Sequence, residues 1–311
     1  MTAPPSMPLT EISFLADPAI EDRRVVDAMD TALSRDGFMA LRIPGLDAHS
    51  TADVRKEAAE FFAWPAPEKR RYAYRDTKVN FGYQPIGAEA LDPSASADLK
   101  ESFTMRDLAQ HEAETDWFPN AAFRSAVLAL HARLVEVGHA VMHHLALALE
   151  AERNFFRPSH SGRNMTLRLL NYPGAGEHNA ARADRLGAGA HTDYGSFTLL
   201  LQDDAGGLQV RRGNEWVNVP ADPDLVIVNT GDLMAHWSND RWPSTWHRVC
   251  ATARQRTSVA FFVDPDDDTE VSCLQSCTRN RPPRYANTTA GEHILRKLNA
   301  SQRNTAPRAT S

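Results

Sequence analysis

The sequence is short of cysteine, of net positive charge and of long apolar runs, and each shortage excludes something. Three cysteines, Cys250, Cys273 and Cys277, cannot build a disulfide framework. Acidic residues outnumber basic ones by 40 to 34, a formal net charge of -6, and no Lys/Arg run stands out. That balance argues against a general nucleic-acid binder. No segment approaches about 18 consecutive apolar residues, which predicts no membrane span. The N-terminal Met1-Thr2-Ala3-Pro4-Pro5 lacks a charged region followed by an apolar stretch, so it does not read as a secretory signal. No internal repeat is evident. A reducing cytoplasm is the simplest setting.

What is present suffices for a large core: 311 residues, 42% of them hydrophobic. A short strand is expected around Ile12-Phe14. Val25, Met29 and Leu33 predict a helix from about Ile20 to Arg35, ended by Gly37. Phe38-Met39-Ala40-Leu41 reads as a buried strand. Val54, Ala58, Phe61 and Phe62 mark a second helix, stopped by Pro65. Residues 85–98 carry proline, glycine and serine and read as a loop. The longest helix is expected from Ala121 to Leu149, with apolar residues every three or four positions from Val127 to Leu149. After Pro158 the texture changes to short strands: Thr166–Leu170, Ser196–Leu201, Leu208–Val210, Trp216–Val219, Leu225–Val228, His247–Val249 and Ser258–Val263. That spacing suggests a sandwich or barrel. A helix around Gly291–Leu298 and a polar, frayed tail follow. Residues 1–120 thus form a helical and strand region and residues 121–311 a strand-rich core, together one compact unit.

Chemistry gathers in the second region. His191 and Asp193 are two apart, so on a strand their side chains point to the same side. His247 must come from another strand. Two histidines and a carboxylate make a facial iron(II) site with open positions. Arg256 and Ser258 form a second i, i+2 pair, able to hold a carboxylate through a guanidinium fork and a hydroxyl. Three other features have plainer readings. His139 and His143 lack a Glu-x-x-His frame and read as solvated or capping residues. Cys273 and Cys277 lack zinc partners. Asp264-Pro265-Asp266-Asp267-Asp268 reads as a solvated turn, without the glycine and glutamate of a calcium loop.

Ordered motifs carry a family resemblance. They begin with Asp36-Gly37-Phe38, Phe61-Phe62-Ala63-Trp64-Pro65, Glu68-Lys69, Gly82-Tyr83 and Asp98-Leu99-Lys100-Glu101-Ser102-Phe103. Leu170-Asn171-Tyr172-Pro173, Ala190-His191-Thr192-Asp193-Tyr194-Gly195 and Gly206-Gly207-Leu208-Gln209-Val210 follow. Asn229-Thr230-Gly231-Asp232, Trp237-Ser238-Asn239-Asp240, Ser244-Thr245-Trp246-His247-Arg248-Val249 and Arg256-Thr257-Ser258 complete the series. From about Phe38 to Leu298 the chain resembles the isopenicillin N synthase-like iron(II)/2-oxoglutarate dioxygenases.

The resemblance implies mixed α and β structure: a double-stranded β-helix, or jelly roll, flanked by helices. It makes His191, Asp193 and His247 the iron ligands. Arg256, Ser258 and Tyr172 would bind 2-oxoglutarate, and dioxygen would be the other co-substrate. The implied reaction oxidises a small metabolite of specialised metabolism, by default through hydroxylation, and releases succinate and carbon dioxide. Arg168 matches a position that meets a substrate carboxylate in ring-expanding relatives, which would suit an anionic substrate. Phe262 matches a substrate-stacking residue, and Asn80, Phe81 and Phe103 come from segments at the mouth of the family's pocket. Asn80 stands where the peptide-cyclising relatives carry arginine, which weighs against cyclisation. Oxidases, desaturases and ring-expanding enzymes share the fold, and a metal-free binding protein on the same jelly roll is the rival from another class.

Overall fold

The strand-rich region folds as two sheets because its strands present alternate residues to two different surroundings. Strand β12, Arg256–Val263, sends Val259, Phe261 and Val263 into a hydrophobic core and Arg256, Ser258, Ala260 and Phe262 into a cavity. Strand β5, Thr166–Tyr172, does the same. Leu167 and Leu169 enter the core, while Thr166, Arg168, Leu170 and Tyr172 line the cavity. The computed structural model describes residues 5–17, 22–92, 96–174 and 186–302. The expected helix start at Ile20 and most of the expected polar tail lie outside the described residues.

The larger sheet runs β1-β2-β10-β7-β12-β5-β4-β3. Its remaining strands are β1 (Glu11–Ser13), β2 (Phe38–Arg42), β3 (Phe81–Gln84), β4 (Glu101–Arg106), β7 (Phe197–Gln202) and β10 (Val226–Thr230). The smaller sheet, β6-β11-β8-β9, contains β6 (Leu186–His191), β8 (Leu208–Arg212), β9 (Glu215–Asn218) and β11 (His247–Cys250). Residues of both sheets line one cavity between them, the arrangement of a jelly roll. Strands β1 to β4, all from residues 1–120, belong to the same sheet as β5, β7, β10 and β12.

Helices cover the core side. Helix α1, Arg23–Asp36, is capped by Asp22, whose side chain accepts from the Arg24 N–H. It ends at Gly37, which has φ 67° and donates its N–H to the Leu33 carbonyl. Glycine is required there twice over: the left-handed backbone disfavours a side chain, and a Cβ would lie 2.5 Å from both the Pro243 carbonyl and Thr245 Oγ1. Helix α2, Ala52–Ala63, buries Phe61 and Phe62.

Helix α4, Ala121–Ala148, buries Val127, Leu134, Val137 and Val141 in the same core as β12. By length and composition it is apolar enough to cross a membrane, although it contains no unbroken run of 18 apolar residues. Its apolar surface is instead occupied by the sheet and by α1 and α2. The helix expected at Gly291–Leu298 is α7, Ala290–Gln302, which brings Ile294 and Leu298 to the cavity. The short helices α3 (Ala66–Lys69), α5 (Asp232–Trp237) and α6 (Gln275–Thr278) join these elements.

Three strands of the two large sheets were not expected from periodicity: β3, β4 and β6. Strand β6 reads Leu-Gly-Ala-Gly-Ala-His, with little to distinguish it locally from a loop. Two plainer readings also need correction. His143 is buried and His139 half-buried rather than solvated, because both lie on the face of α4 that the core covers. The acidic run is only partly a solvated turn. Asp264 lines the cavity, and Asp266 is buried and accepts from the Ser161 hydroxyl at 2.7 Å.

Candidate active site

His191 ends β6 and His247 begins β11, and the antiparallel ladder pairs these two residues directly. Their rings come to 4.2 Å between centroids. Asp193, two residues past the end of the ladder, turns its carboxylate between them. Its Oδ1 lies 3.9 Å from His191 Nε2 and 3.7 Å from His247 Nε2. One ligand atom from each residue falls within 4.8 Å of the others, and this is the only such His/Cys/Asp/Glu group found among the described residues.

The surroundings leave those atoms available to a metal. His191 Nδ1 meets the Gly189 carbonyl at 2.7 Å, and His247 Nδ1 meets the Thr245 carbonyl at 3.1 Å. A carbonyl only accepts, so each Nδ1 carries the proton and each Nε2 keeps its lone pair. Asp193 Oδ2 accepts from Thr198 Oγ1 at 2.5 Å and Asn229 Nδ2 at 2.6 Å, which turns Oδ1 toward the imidazoles. Burial, and then the neighbouring His247, push the His191 imidazole well below its ordinary value. Burial pushes the Asp193 carboxyl up, but the two imidazoles and its two donors outweigh burial and hold it down. A neutral imidazole and an ionised carboxylate are the forms in which such side chains bind a divalent cation.

A second group lines the same cavity. Arg256 is 1% exposed. Its Nε donates to the Gly206 carbonyl at 2.8 Å and its Nη1 to Ser258 Oγ at 3.0 Å. Tyr172, its ladder partner on β5, places its ring 4.7 Å from the guanidinium carbon. Gly187 makes room for that ring: a Cβ there would lie 2.7 Å from Tyr172 Cδ1. Arg256 Nη2 is buried with no hydrogen-bond partner, and no carboxylate pairs with this cation among the described residues. An unpaired buried cation is costly, so a bound anion would relieve it. The donor set at the histidines and the orphaned guanidinium nitrogen both fit iron with a dicarboxylate co-substrate.

The expected substrate residues divide. Asn80, Arg168 and Phe262 line the cavity. Phe81 and Phe103 do not. They are 1% and 0% exposed, and they pack with Phe61, Trp117, Phe118 and Phe123 in the core. The period of two explains this correction: Thr104 and Arg106 of β4 face the cavity, so Phe103 and Met105 face away. Arg168 is not the free cation expected of a carboxylate anchor, because its Nη2 donates to Glu89. Sequence reasoning passed over Glu89, Thr104 and Tyr194 on the cavity wall, and over Thr198 and Asn229 behind Asp193, and it read Asp264 as part of a solvated turn. Only Asn229 and Tyr194 carried a signal, as members of quoted motifs. Burial and then the Asp193 carboxylate push the Asp264 carboxyl up to about 7.

Residues 164–265 match the 2OG-Fe(II) oxygenase superfamily, and residues 7–123 match the non-haem dioxygenase in morphine synthesis N-terminal family. The chain is 30% identical over 314 residues to the 2-oxoglutarate-dependent dioxygenase citB of Monascus ruber, covering 94% of each chain. The chain belongs to the 2OG-Fe(II) oxygenase superfamily. The oxygenase is also 31% identical over 292 residues to the UPF0676 protein C1494.01 of Schizosaccharomyces pombe, covering 91% of this chain and 90% of that one. Among solved structures, a full-length Neurospora crassa protein in complex with alpha-KG and thymine superposes with a TM-score of 0.81 at 26% identity, covering 94% of this chain and 96% of that chain. The oxygenase is therefore a 2-oxoglutarate-dependent dioxygenase of the isopenicillin N synthase-like group. It uses iron(II), 2-oxoglutarate and dioxygen to oxidise a small molecule.

Proposed function

We propose that this oxygenase hydroxylates a small metabolite of specialised metabolism, with each end of its cavity holding a different reactant. His191, Asp193 and His247 would hold the iron, and Arg256 with Ser258 the far carboxylate of 2-oxoglutarate. One observation carries the reading: two free Nε2 atoms and one free carboxylate oxygen converge in the same cavity as a buried, unpaired guanidinium. Bound iron would activate dioxygen, which takes two electrons from 2-oxoglutarate, giving succinate and carbon dioxide, and two from the substrate's C–H bond.

The chain's own residues bind, orient and exclude water. Thr198 and Asn229 fix the Asp193 carboxylate, and the Gly189 and Thr245 carbonyls fix the two imidazole tautomers. Leu170, Ala188, Leu200, Leu208 and Val249 give the cavity apolar walls, which limit water at the reacting bond. Phe262 lines the cavity and would support an apolar part of the substrate, and hydroxylation is the shortest outcome once the target C–H bond is held there. The similar Neurospora crassa protein is solved with thymine, which supports a small molecule as the substrate class. The test is to reconstitute the purified protein with iron(II) and 2-oxoglutarate without oxygen, then admit oxygen with candidate substrates. A charge-transfer absorption band, followed by one succinate per hydroxylated product, is expected. Product formation without succinate would sink the reading.

A further inference from the structure

Charge is distributed unevenly along the cavity. Four cations line it: Lys100, Arg106, Arg168 and Arg256. Lys100 pairs with Asp98 and lies 3.4 Å from Glu89. Arg106 lies 3.3 Å from Asp267, and Arg168 pairs with Glu89. Only Arg256 has no carboxylate partner among the described residues. Resting on the reading that Arg256 takes the co-substrate, one further anion is thus provided for, and it is not the substrate.

Arg168 nevertheless has unused hydrogen-bonding capacity. Its Nη2 serves Glu89, Gln84 Oε1 at 3.2 Å and Ser102 Oγ at 2.8 Å. Its Nε is buried with no hydrogen-bond partner. Thr104 is its ladder neighbour on β4 and faces the same cavity, and its Oγ1 is likewise buried and unpartnered. On the other side the neighbour is Ala260, a small residue that faces the same cavity.

We propose that the substrate is a neutral molecule with an amide-like group, a carbonyl beside an N–H, and that Glu89 makes the pocket reject the corresponding carboxylate. The carbonyl would accept from Arg168 and Thr104, and the N–H would donate to Glu89 or Gln84. A carboxylate would meet the same donors but would bring a second negative charge beside Glu89 in a site shielded from water. It would also bring no N–H to donate to Glu89 or Gln84.

The test uses the iron(II)–2-oxoglutarate enzyme, oxygen-free and saturated with 2-oxoglutarate, in calorimetric titrations of matched pairs: benzamide and benzoate, indole-3-acetamide and indole-3-acetate. The amides are expected to bind about tenfold tighter or more than their acids, the scale of one buried polar group left unpaired. Glu89→Gln should narrow or invert that ratio by freeing Arg168. Thr104→Val, which alters no charge and gives a second reading if Glu89→Gln does not fold, should weaken the amides. Acids binding as tightly as amides would overturn the proposal, as would no binding by either class, or an unchanged ratio in folded Glu89→Gln. Failure to bind 2-oxoglutarate in the first place would instead overturn the reading of Arg256. Acid preference with normal 2-oxoglutarate binding sinks only the substrate proposal.

Discussion

Arg256 and Arg168 lie on neighbouring strands of one sheet, face the same cavity and are both largely buried, yet their electrostatic situations are opposite. Arg256 has a serine hydroxyl, a backbone carbonyl and an aromatic ring around it, and one nitrogen without a partner. Arg168 has its charge cancelled by Glu89, which the loop before β4 carries into the wall. Burial pushes the Glu89 carboxyl up, but Arg168 and Lys100 outweigh burial and hold it at about 2. The same residue type on the same kind of strand therefore awaits an anion at one end and presents a neutral donor–acceptor surface at the other. What differs is the long-range partner and not the local sequence.

The largest effect should come from breaking the centre that both ends serve. His191→Ala should lower succinate formation by roughly a thousandfold or more, since a catalytic metal supplies several kcal/mol. A rate within a factor of ten of the parent would show that the two ends do not share a metal. Next comes the anion end. Arg256→Lys keeps the charge but loses the planar fork, so the Michaelis constant for 2-oxoglutarate should rise about 10- to 100-fold with a smaller change in kcat. Arg168→Gln should leave that constant where it is and uncouple 2-oxoglutarate consumption from product formation. If Arg168→Gln moved the 2-oxoglutarate constant instead, the two ends would not be distinct.

A smaller change should follow from Thr198→Val, which removes one of the two donors to Asp193 Oδ2. Iron affinity, read by chelator competition, should fall by about tenfold, the low end for residues that orient a ligand.

The smallest expected effect is none. Burial holds His160 and His131 at about 4, below the ordinary 6.5. A depressed folded value stabilises the protein above the unfolded value, and that stability is lost as pH falls from 6.5 through about 4. Each histidine should cost roughly 2 kcal/mol of stability by about pH 5, visible as a lower melting temperature. Glu89 stays ionised over that whole window, because its carboxyl is held at about 2. The ratio of amide to acid affinity should thus be flat from about pH 8 to about pH 6. A ratio that titrates there would show that another group sets the preference.

The site was legible where the chemistry depends on spacing within one strand. His191 and Asp193, or Arg256 and Ser258, need only the period of two to point the same way. Phe81 and Phe103 were misplaced for the complementary reason. Belonging to a segment near the pocket does not say which face of the strand a residue occupies, and in β4 it is Thr104 and Arg106 that face inward. The acidic run shows the same limit. Asp264 follows Val263 at the end of β12 and continues its cavity-facing alternation, whereas Asp267 and Asp268 are exposed.

The amino-acid sequence by itself determined the ligand types, the helix stripe from Val127 to Leu149, the stop at Gly37 and the motif order that places the chain in its family. These are local properties: side-chain chemistry, periodicity and backbone preference act within a few residues. Only the tertiary structure decided that His247 lies opposite His191, that Arg256 has no carboxylate and that Arg168 has one. Ladder register and buried ion pairs join residues tens of positions apart, and their energies arise only when the chain brings those residues together and excludes water from between them.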